Sequence, residues 1–358
     1  MTADATEPTG TDGPREPYRP RGTDRRPTAR RTGVTVAAAV ALTATLALLP
    51  LSRDSRTGED GEPRQVTAEA APAAAEAPDC VEPERSLRPD NADGPALERI
   101  RAQGKLVVGI DQNSFSWGYR NPATGTIEGF DIDLAREIAK DILGSPDDII
   151  FRAIPTNLRE QSLENGTVDL VVRTMTINCK RLEKVSFSTA YFQAGQQVLV
   201  PKGSDITGYD ESLSGKRVCS ASGSTAYDAL AEKSFGAIFK DKHDGTDQDE
   251  DKLTVSNQLD CLVRLQMGEV DAVVTDNALA AGQAAQDPAV ELVGEPFTEE
   301  YYGVAAKLGS DDLVRRVNKV LEDYRAGGAG SLWMRSYNQW LKDGLPGITA
   351  APKAKYKD

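Results

Sequence analysis

The run "VDLVVRTMTINCKR", Val168 to Arg181, decides the fold. Its first five residues, "VDLVV", are apolar except for Asp169, which is typical of a strand buried in a sheet. Its second half places threonines and arginines where that strand must end. Polar side chains at the carboxyl end of such a strand are typical of a ligand site in an α/β protein. Within this run Cys179 can be a reactive thiol, a metal ligand or a structural residue, and the rest of the chain has to decide.

Around this run, strands and helices alternate. Before it come a short helix "LERIRAQG", a strand "KLVVGI", a helix "GFDIDLAREIAKDILG" with one apolar face, a strand "DIIFRAI" and a helix "TNLREQSLENG". Asp131 is the predicted N-cap of the second of these helices. The strand "AGQQVLVPKG" follows the run. This βαβαβ order predicts a parallel sheet covered by helices.

The same alternation repeats further along the chain. "GKRVCSASGST" predicts a strand, a Ser/Gly-rich turn and the start of a helix, and "LDCLVRLQMGEV" and "DAVVTDN" predict a helix and a strand. The remainder, from "YYGVAAKLG" to "SLWMRSYNQWL", predicts one strand and two helices. The chain is therefore predicted to form two α/β lobes, with a ligand cleft between the carboxyl ends of their strands.

Composition excludes several function classes. The 358 residues carry a net charge of −13, which argues against a nucleic acid as the main partner. The four cysteines form no CxxC pair, so neither a zinc knuckle nor a thioredoxin-like site is expected. The one histidine, His243, lies in the polar run "DKHDGTDQDED", a poor setting for a Ser-His-Asp triad. We expect no catalytic residue, no cofactor and no metal.

The N-terminal part is predicted to be associated with a membrane. Residues 1–33 are rich in Pro, Gly, Thr and Arg and read as a disordered cytoplasmic leader. Val34 to Leu51 is uncharged and, as a helix, would be about 27 Å long, with four arginines just before it. It is either a transmembrane anchor or a cleaved signal peptide, and both place the following residues outside the membrane. Residues 52–95 read as a flexible linker, and residues 346–358 as a flexible tail.

Seven stretches, taken in order, carry a family resemblance. They are "LVVGID", "GFDIDLAREIA", "NGTVDLVVRTMTINCKR", "VSFSTAYF", "GKRVCSASGSTAYD", "VDAVVTDN" and "YYGVAAKLGSDDLVRRVNKVL". Together they resemble the family 3 extracellular solute-binding proteins, which bind polar amino acids for ABC transporters, and in particular the actinobacterial glutamate/glutamine type. The resemblance spans about residues 97–342 and implies a two-lobed periplasmic-binding-protein type II fold. It places lobe 1 in residues 96–194 and 303–345 and lobe 2 in 195–298, with hinges near 193–198 and 298–303.

The resemblance also implies how the backbone groups of an amino acid are held. Arg181 falls where the family clamps the α-carboxylate, and a guanidinium fork binds a carboxylate through two hydrogen bonds. Thr174 and Thr176 lie beside it on the strand end. In lobe 2, Ser222 and Thr225 belong to a turn that opens a helix, whose free N–H groups favour an anion. Asp276 is the expected partner of the α-ammonium.

Five further residues are predicted to read the ligand side chain. Arg159 points to an acidic ligand, whereas Asp111 suits an amide unless it pairs with an arginine. Phe115 and Trp117 are expected to wall the aliphatic stem of the ligand. Arg173 either reads a side-chain carboxylate or forms a structural ion pair. The predicted order of preference is glutamate, aspartate, glutamine and asparagine.

The lobe assignment gives each cysteine a partner. Cys80 is predicted to pair with Cys179 and Cys219 with Cys261, because an extracytoplasmic setting favours disulfides. The expected partners are a free amino acid, the permease subunits of an ABC transporter, and the membrane through residues 34–51, but no nucleic acid. The chain is thus expected at the extracellular face of the cell membrane, anchored or secreted. An amino-acid sensor that signals to a membrane partner and, remotely, a dehydratase of the same fold remain alternatives.

Overall fold

The computed structural model describes residues 80–241 and 253–357. Fifteen strands are found there: β1 Leu106–Ile110, β2 Asn113–Ser114, β3 Gly118–Arg120, β4 Ile127–Glu128, β5 Ile149–Ala153, β6 Leu170–Val171, β7 Val185–Phe187, β8 Phe192–Ala194, β9 Gln196–Pro201, β10 Val218–Ala221, β11 Thr254–Val255, β12 Ala272–Asp276, β13 Val290–Val293, β14 Glu300–Tyr302 and β15 Ala305–Lys307. The α-helices of the same ranges are α1 Pro95–Gln103, α2 Phe130–Leu143, α3 Arg159–Glu164, α4 Cys179–Leu182, α5 Thr225–Glu232, α6 Gln258–Gln266, α7 Asn277–Gln286, α8 Asp311–Arg325 and α9 Leu332–Trp340.

Each lobe is built on a five-stranded sheet. Lobe 1 has the order β5-β1-β6-β15-β7, and lobe 2 has the order β11-β10-β12-β9-β13. Both sheets are mixed rather than parallel, because β15 runs antiparallel to β6 and β7, and β9 runs antiparallel to β12 and β13. The prediction of a parallel sheet is therefore corrected. The reversed strand is in each case the one that enters the lobe from a crossover, which local periodicity does not reveal.

The two crossovers pair with each other. Strand β8 leaves lobe 1 and strand β14 returns to it, and the two run antiparallel with Gln193 opposite Tyr301. Two extended segments side by side can twist together, which is the usual construction of a hinge between two lobes. The carboxyl ends of β6 and β12 are thus brought to the same cleft.

The lobe 1 core is aromatic and fixes the start of α2. Gly129 is the N-cap of α2 at φ 131°, and a Cβ there would lie 2.3 Å from the carbonyl oxygen of Trp117, so only glycine fits. Asp131, the predicted N-cap, lies inside the helix instead and is 2% exposed. The prediction was wrong because a glycine took the capping position and left the carboxylate free to turn inward.

Both predicted disulfides are confirmed. Cys219 and Cys261 join β10 to α6 within the lobe 2 core, where both residues are fully buried. Cys80 and Cys179 join the N-terminal segment to α4 of lobe 1. With every cysteine of the chain paired, Cys179 is structural rather than a reactive thiol or a metal ligand.

The two ends of the described chain pack together on lobe 1. Ser86 pairs in parallel with Tyr356, and Lys355 Nζ lies 2.6 Å from Glu84 Oε1. Ser86 also donates to the carbonyl oxygen of Phe187 in β7. Residues 80–95 and 346–357 thus make defined contacts, in contrast to the linker and tail predicted for them. The reason is that their partners are distant in sequence, so low local hydrophobicity says nothing about them.

Several predictions concern residues outside the described ranges. They are the leader 1–33, the apolar segment 34–51, the linker up to residue 79 and the loop around His243. In residues 80–241 and 253–357 no helix is both long and apolar enough to cross a membrane.

Candidate ligand-binding site

Two buried arginines of lobe 1 converge on lobe 2. Arg159 opens α3 and Arg181 lies in α4, and each is only 4% exposed. Both Nη2 atoms donate to the carbonyl oxygen of Gly223 in lobe 2, at 3.2 and 3.1 Å. Arg159 Nε also donates to Thr156 O at 2.8 Å, and Arg181 Nη1 to Thr176 O at 2.6 Å. Lobe 1 carbonyls therefore aim the two guanidinium groups across the cleft.

These arginines are buried with few carboxylates of the described chain in direct contact. Burial lowers the pKa of both, and the neighbouring cations Arg181 and Arg173 lower that of Arg159 further. Arg181 Nε is 3.8 Å from Glu160 Oε1, whereas Arg159 has no carboxylate within 4 Å among the described residues. A buried cation without a counterion is costly, so the site favours an anionic group from outside the chain.

Arg173 forms an ion pair with Asp111. The two residues are 1% and 5% exposed, and Arg173 Nη2 lies 2.9 Å from Asp111 Oδ2, although not aligned as a hydrogen bond. Burial alone would raise the pKa of Asp111, but the Arg173 charge and several hydrogen bonds hold it below its ordinary value. One of these bonds comes from Asn257 Nδ2 in lobe 2, at 3.0 Å. Of the two roles predicted for Arg173, the structure contains the ion pair.

The strand end after β6 is held in an unusual conformation. Thr174 has φ 40°, rare for a residue with a side chain. Its N–H donates to Asp131 Oδ2 at 3.0 Å and to Tyr191 Oη at 3.1 Å, while Tyr191 in turn donates to Asp131 Oδ1. Burial raises the pKa of Asp131 to about 7. Thr176, also buried, pairs with Tyr302 of the second crossover, so both predicted threonines lie beside the arginines.

In lobe 2 the turn before α5 faces the arginines through its backbone. The hydroxyl that caps α5 is that of Ser224, which accepts from the Tyr227 N–H at 3.1 Å. Ser222, one of the two residues predicted here, instead uses its N–H to bind Val255 O at 2.8 Å. Thr225, the other, donates its hydroxyl to Glu300 Oε2 at 3.2 Å.

Asp276 is the buried carboxylate of the lobe 2 face. It ends β12 and is 6% exposed, and its side chain does not cap α7. Its oxygens accept instead from the Tyr302 hydroxyl and from Gln196 Nε2. Burial, and then the nearby carboxylate of Glu300, raises the pKa of Asp276 to about 7. Such a group gains strongly from a cationic partner.

The two predicted aromatic residues do not join this polar cluster. Trp117 is 1% exposed and packs edge-on against Phe130, Phe192 and Tyr302, with its Nε1 donating to Ala278 O at 3.0 Å. It is a core residue, so its predicted role as a ligand wall is corrected. Phe115 is half-buried and packs against Tyr119. An indole in a loop after a strand looks the same in sequence whether it turns toward the cleft or into the core.

Sequence reasoning missed four residues of the site. They are Gly223, Gln196, Glu300 and Tyr302. The last three lie in or next to the crossover strands, which carry no periodic pattern. The run "TEEYYG" did hold a signal, because it sets an acidic residue against two tyrosines where lobe 2 ends.

Two polar pockets open at the sides of the cleft. One, of about 200 Å³, is lined by residues of both lobes that include Arg181, Glu160, Gly223 and Asp228. The other, of about 220 Å³, is lined by residues that include Asp111, Pro155 and Asn257. The arginine cluster and the Asp111–Arg173 pair therefore lie between two routes to solvent.

Comparison with known proteins agrees with this geometry. Residues 106–343 match the family model of the bacterial extracellular solute-binding proteins, family 3. The ABC transporter glutamine-binding protein GlnH of Bacillus subtilis is 36% identical over 69% of this chain and 85% of its own length. The glutamate-binding protein GluB of Corynebacterium efficiens is 29% identical over 72% of this chain and 88% of its own length.

A solved structure shows the same two-lobed architecture. An ancestral arginine-binding protein bound to glutamine superposes with a TM-score of 0.58 at 34% identity, covering 66% of this chain and 98% of that protein. The predicted two-lobed fold is thereby confirmed for the described residues.

Proposed function

Because the chain belongs to family 3 of the bacterial extracellular solute-binding proteins, we propose that it binds a free polar amino acid between its lobes and delivers it to an ABC transporter permease. The observation that carries this proposal is the opposition of charge across the cleft. Arg159 and Arg181 reach from lobe 1, and Asp276 lies on lobe 2. A free amino acid carries one carboxylate and one ammonium a short distance apart, so both must be paired when water is excluded.

The two arginines are assigned to the α-carboxylate. Both already donate to one oxygen, that of Gly223, so a carboxylate oxygen near that point can receive both. The bond to Gly223 also gives lobe 2 a contact that depends on closure. A ligand that bridges both lobes stabilises the closed arrangement by its differential contacts.

We place glutamine ahead of glutamate, reversing the order predicted from sequence. Arg173 was the candidate reader of a side-chain carboxylate, and its charge is already balanced by Asp111 in a buried pair. Arg159 shares the Gly223 oxygen with Arg181, so it serves the α-carboxylate. Because neither Arg159 nor Arg173 is free to pair with a side-chain carboxylate, a ligand with a neutral amide side chain avoids burying an unpaired anion. The name of the Bacillus subtilis relative supports the same order.

Isothermal titration of the protein with glutamine, glutamate, aspartate, asparagine and arginine tests this proposal. We expect glutamine to bind most tightly and glutamate next. Tighter binding of glutamate would restore the order predicted from sequence. Binding of arginine alone would reject the preference for an amide or acidic ligand, and binding of no amino acid would reject the proposed function. Uptake of the ligand in a deletion strain then tests transport, because a sensor would leave uptake intact.

The cellular location follows from the same family. An extracellular solute-binding protein meets its ligand outside the cytoplasm, and residues 34–51 are proposed to take it there as an anchor or as a signal. N-terminal sequencing of the mature protein distinguishes the two, since an anchored chain keeps residues before 34 and a secreted chain begins after 51.

A further inference from the structure

Asp276 is held by one residue from each of the predicted hinge segments, 193–198 and 298–303. Gln196, the first residue of β9, donates its Nε2 to Asp276 Oδ1. Tyr302, the last residue of β14, donates its hydroxyl to Asp276 Oδ2. All three residues are buried, with Tyr302 fully enclosed by the aromatic core of lobe 1. The carboxylate of lobe 2 is therefore fixed by Gln196, its neighbour in the lobe 2 sheet, and by Tyr302 of the second crossover, rather than by its own lobe alone.

Gln196 also carries an unused acceptor. Its Nε2 is occupied by Asp276 and by the Thr225 hydroxyl, whereas its Oε1 has no hydrogen-bond partner among the described residues. The residue is only 1% exposed. A buried carbonyl oxygen without a donor is unfavourable, and a group with several N–H donors placed beside Asp276 would satisfy it.

We propose that Gln196 and Tyr302 complete the ammonium site around Asp276. Tyr302 positions the Asp276 carboxylate, and Gln196 Oε1 accepts a second N–H of the ligand ammonium. An ammonium has three donors, so one carboxylate alone leaves some of them unpaired in a closed cleft. This inference rests on the proposed function and adds two residues to it, both located in the hinge.

The charged groups around Asp276 determine what the loss of Tyr302 would do. Glu300 faces it from β14, and Arg159 and Arg181 face it from α3 and α4. Glu300 favours the protonated form of Asp276, whereas the two arginines and the Tyr302 hydroxyl favour the ionised form. Only the ionised form attracts an ammonium. Removing the hydroxyl should therefore raise the pH at which the site becomes competent.

Tyr302→Phe tests the positioning role, because it keeps the ring packing and removes only the hydroxyl. We measure amino-acid affinity between pH 5.5 and 8.5 by titration calorimetry. Affinity should rise with pH in both proteins, with the midpoint of Y302F displaced upward by about one pH unit. A one-unit displacement corresponds to about tenfold weaker binding at pH values below both midpoints.

Tyr337→Phe is the matched control. Tyr337 is 2% exposed and donates its hydroxyl to Leu345 O in lobe 1, away from Asp276. The Y337F variant should bind the amino acid with the same affinity and the same pH midpoint as the unmodified protein, even if its melting temperature changes. If Y302F keeps the midpoint of the unmodified protein, the positioning role is refuted.

Gln196→Met removes both the free Oε1 and the Nε2 donor to Asp276, so it is compared at pH 8.5 with Y302F, which removes only a donor to Asp276, and with a pair of ligands. The amino acid is compared with its analogue that carries hydrogen in place of the amino group. Q196M should weaken binding of the amino acid about tenfold, the size of a hydrogen bond to a charged group, and leave the analogue unchanged. An equal loss for both ligands would mean a structural role only. If the unmodified protein binds no amino acid at all, the proposed function fails and this assignment falls with it, whereas binding that neither Y302F nor Q196M alters rejects this assignment alone.

Discussion

The two faces of the cleft present different chemical groups. Lobe 1 presents long cationic side chains from α3 and α4, aimed by backbone carbonyls of their own lobe. Lobe 2 presents a backbone turn at Gly223 and one buried carboxylate, Asp276. Neither face alone can satisfy both ends of a zwitterion. Under the proposed function each end of the ligand pairs with a different lobe, so we expect recognition and closure to be the same event.

The largest effect is expected from removing an arginine of the lobe 1 face, and it is an effect on amino-acid affinity. Arg181→Ala should weaken amino-acid binding by about 3–5 kcal/mol, since it removes one of the two arginines assigned to the buried α-carboxylate of the ligand. Arg181→Lys should recover only part of this, because an ammonium cannot form the two-pronged bond. Calorimetry gives both values. Arg136→Ala, which removes an exposed cation from α2, is the control and should bind normally. Normal affinity in R181A would remove Arg181 from the site.

Removal of the lobe 2 disulfide should have the next largest effect, which is on stability rather than on binding. Its loop of 42 residues corresponds to about 4 kcal/mol in the chain-entropy model. Cys219→Ala with Cys261→Ala should therefore lower the unfolding free energy by about 2–4 kcal/mol, measured by urea denaturation. The double variant Cys80→Ala with Cys179→Ala is the comparison. In the same model its loop of 99 residues corresponds to about 4.7 kcal/mol, but we expect it to destabilise less, because the bond attaches a terminal segment outside the hydrophobic core. A larger loss there would reverse the contrast between the lobes.

Asp276→Asn removes the charge of the lobe 2 face and keeps its shape. Since the pKa of Asp276 is raised to about 7 before the ligand binds, the unmodified protein should gain affinity as the pH rises through about 7. The variant should bind about tenfold to a hundredfold more weakly at pH 8, and the gain with pH should disappear. Calorimetry at pH 5.5, 7 and 8.5 measures this. A pH dependence that persists in D276N would assign it to another group.

The smallest effect is expected from the contact between the chain ends. Lys355→Ala removes the pair with the exposed Glu82 and the pair with Glu84, which is only 8% exposed. Because Lys355 itself is partly exposed and its pairs are screened by solvent, the melting temperature should fall by about 2–4 °C and the affinity should not change. Differential scanning calorimetry checks the first expectation. A change in affinity would connect the chain ends to the cleft.

Prediction from sequence succeeded where the signal is local. Short patterns predicted the strand end before Arg181, the helices bounded by glycines and the division into two lobes. The order of the motifs predicted that Asp276 lies at a strand end of lobe 2. Prediction from sequence failed where a side chain could point in either of two directions. Asp131 turned inward instead of capping α2, and Trp117 entered the core. Gln196 could not be found at all, because its role depends on a contact with a strand 80 residues away.

The pairing of Ser86 with Tyr356 has a mechanical consequence. Because both described ends of the chain are attached to lobe 1, a force applied through the residues before Cys80 is carried by the Cys80–Cys179 bond and the lobe 1 sheet. Such a force therefore acts on lobe 1 and on α4, the helix that also carries Arg181, rather than directly on lobe 2. The attachment point of the N-terminal segment and one wall of the ligand site thus share one short helix.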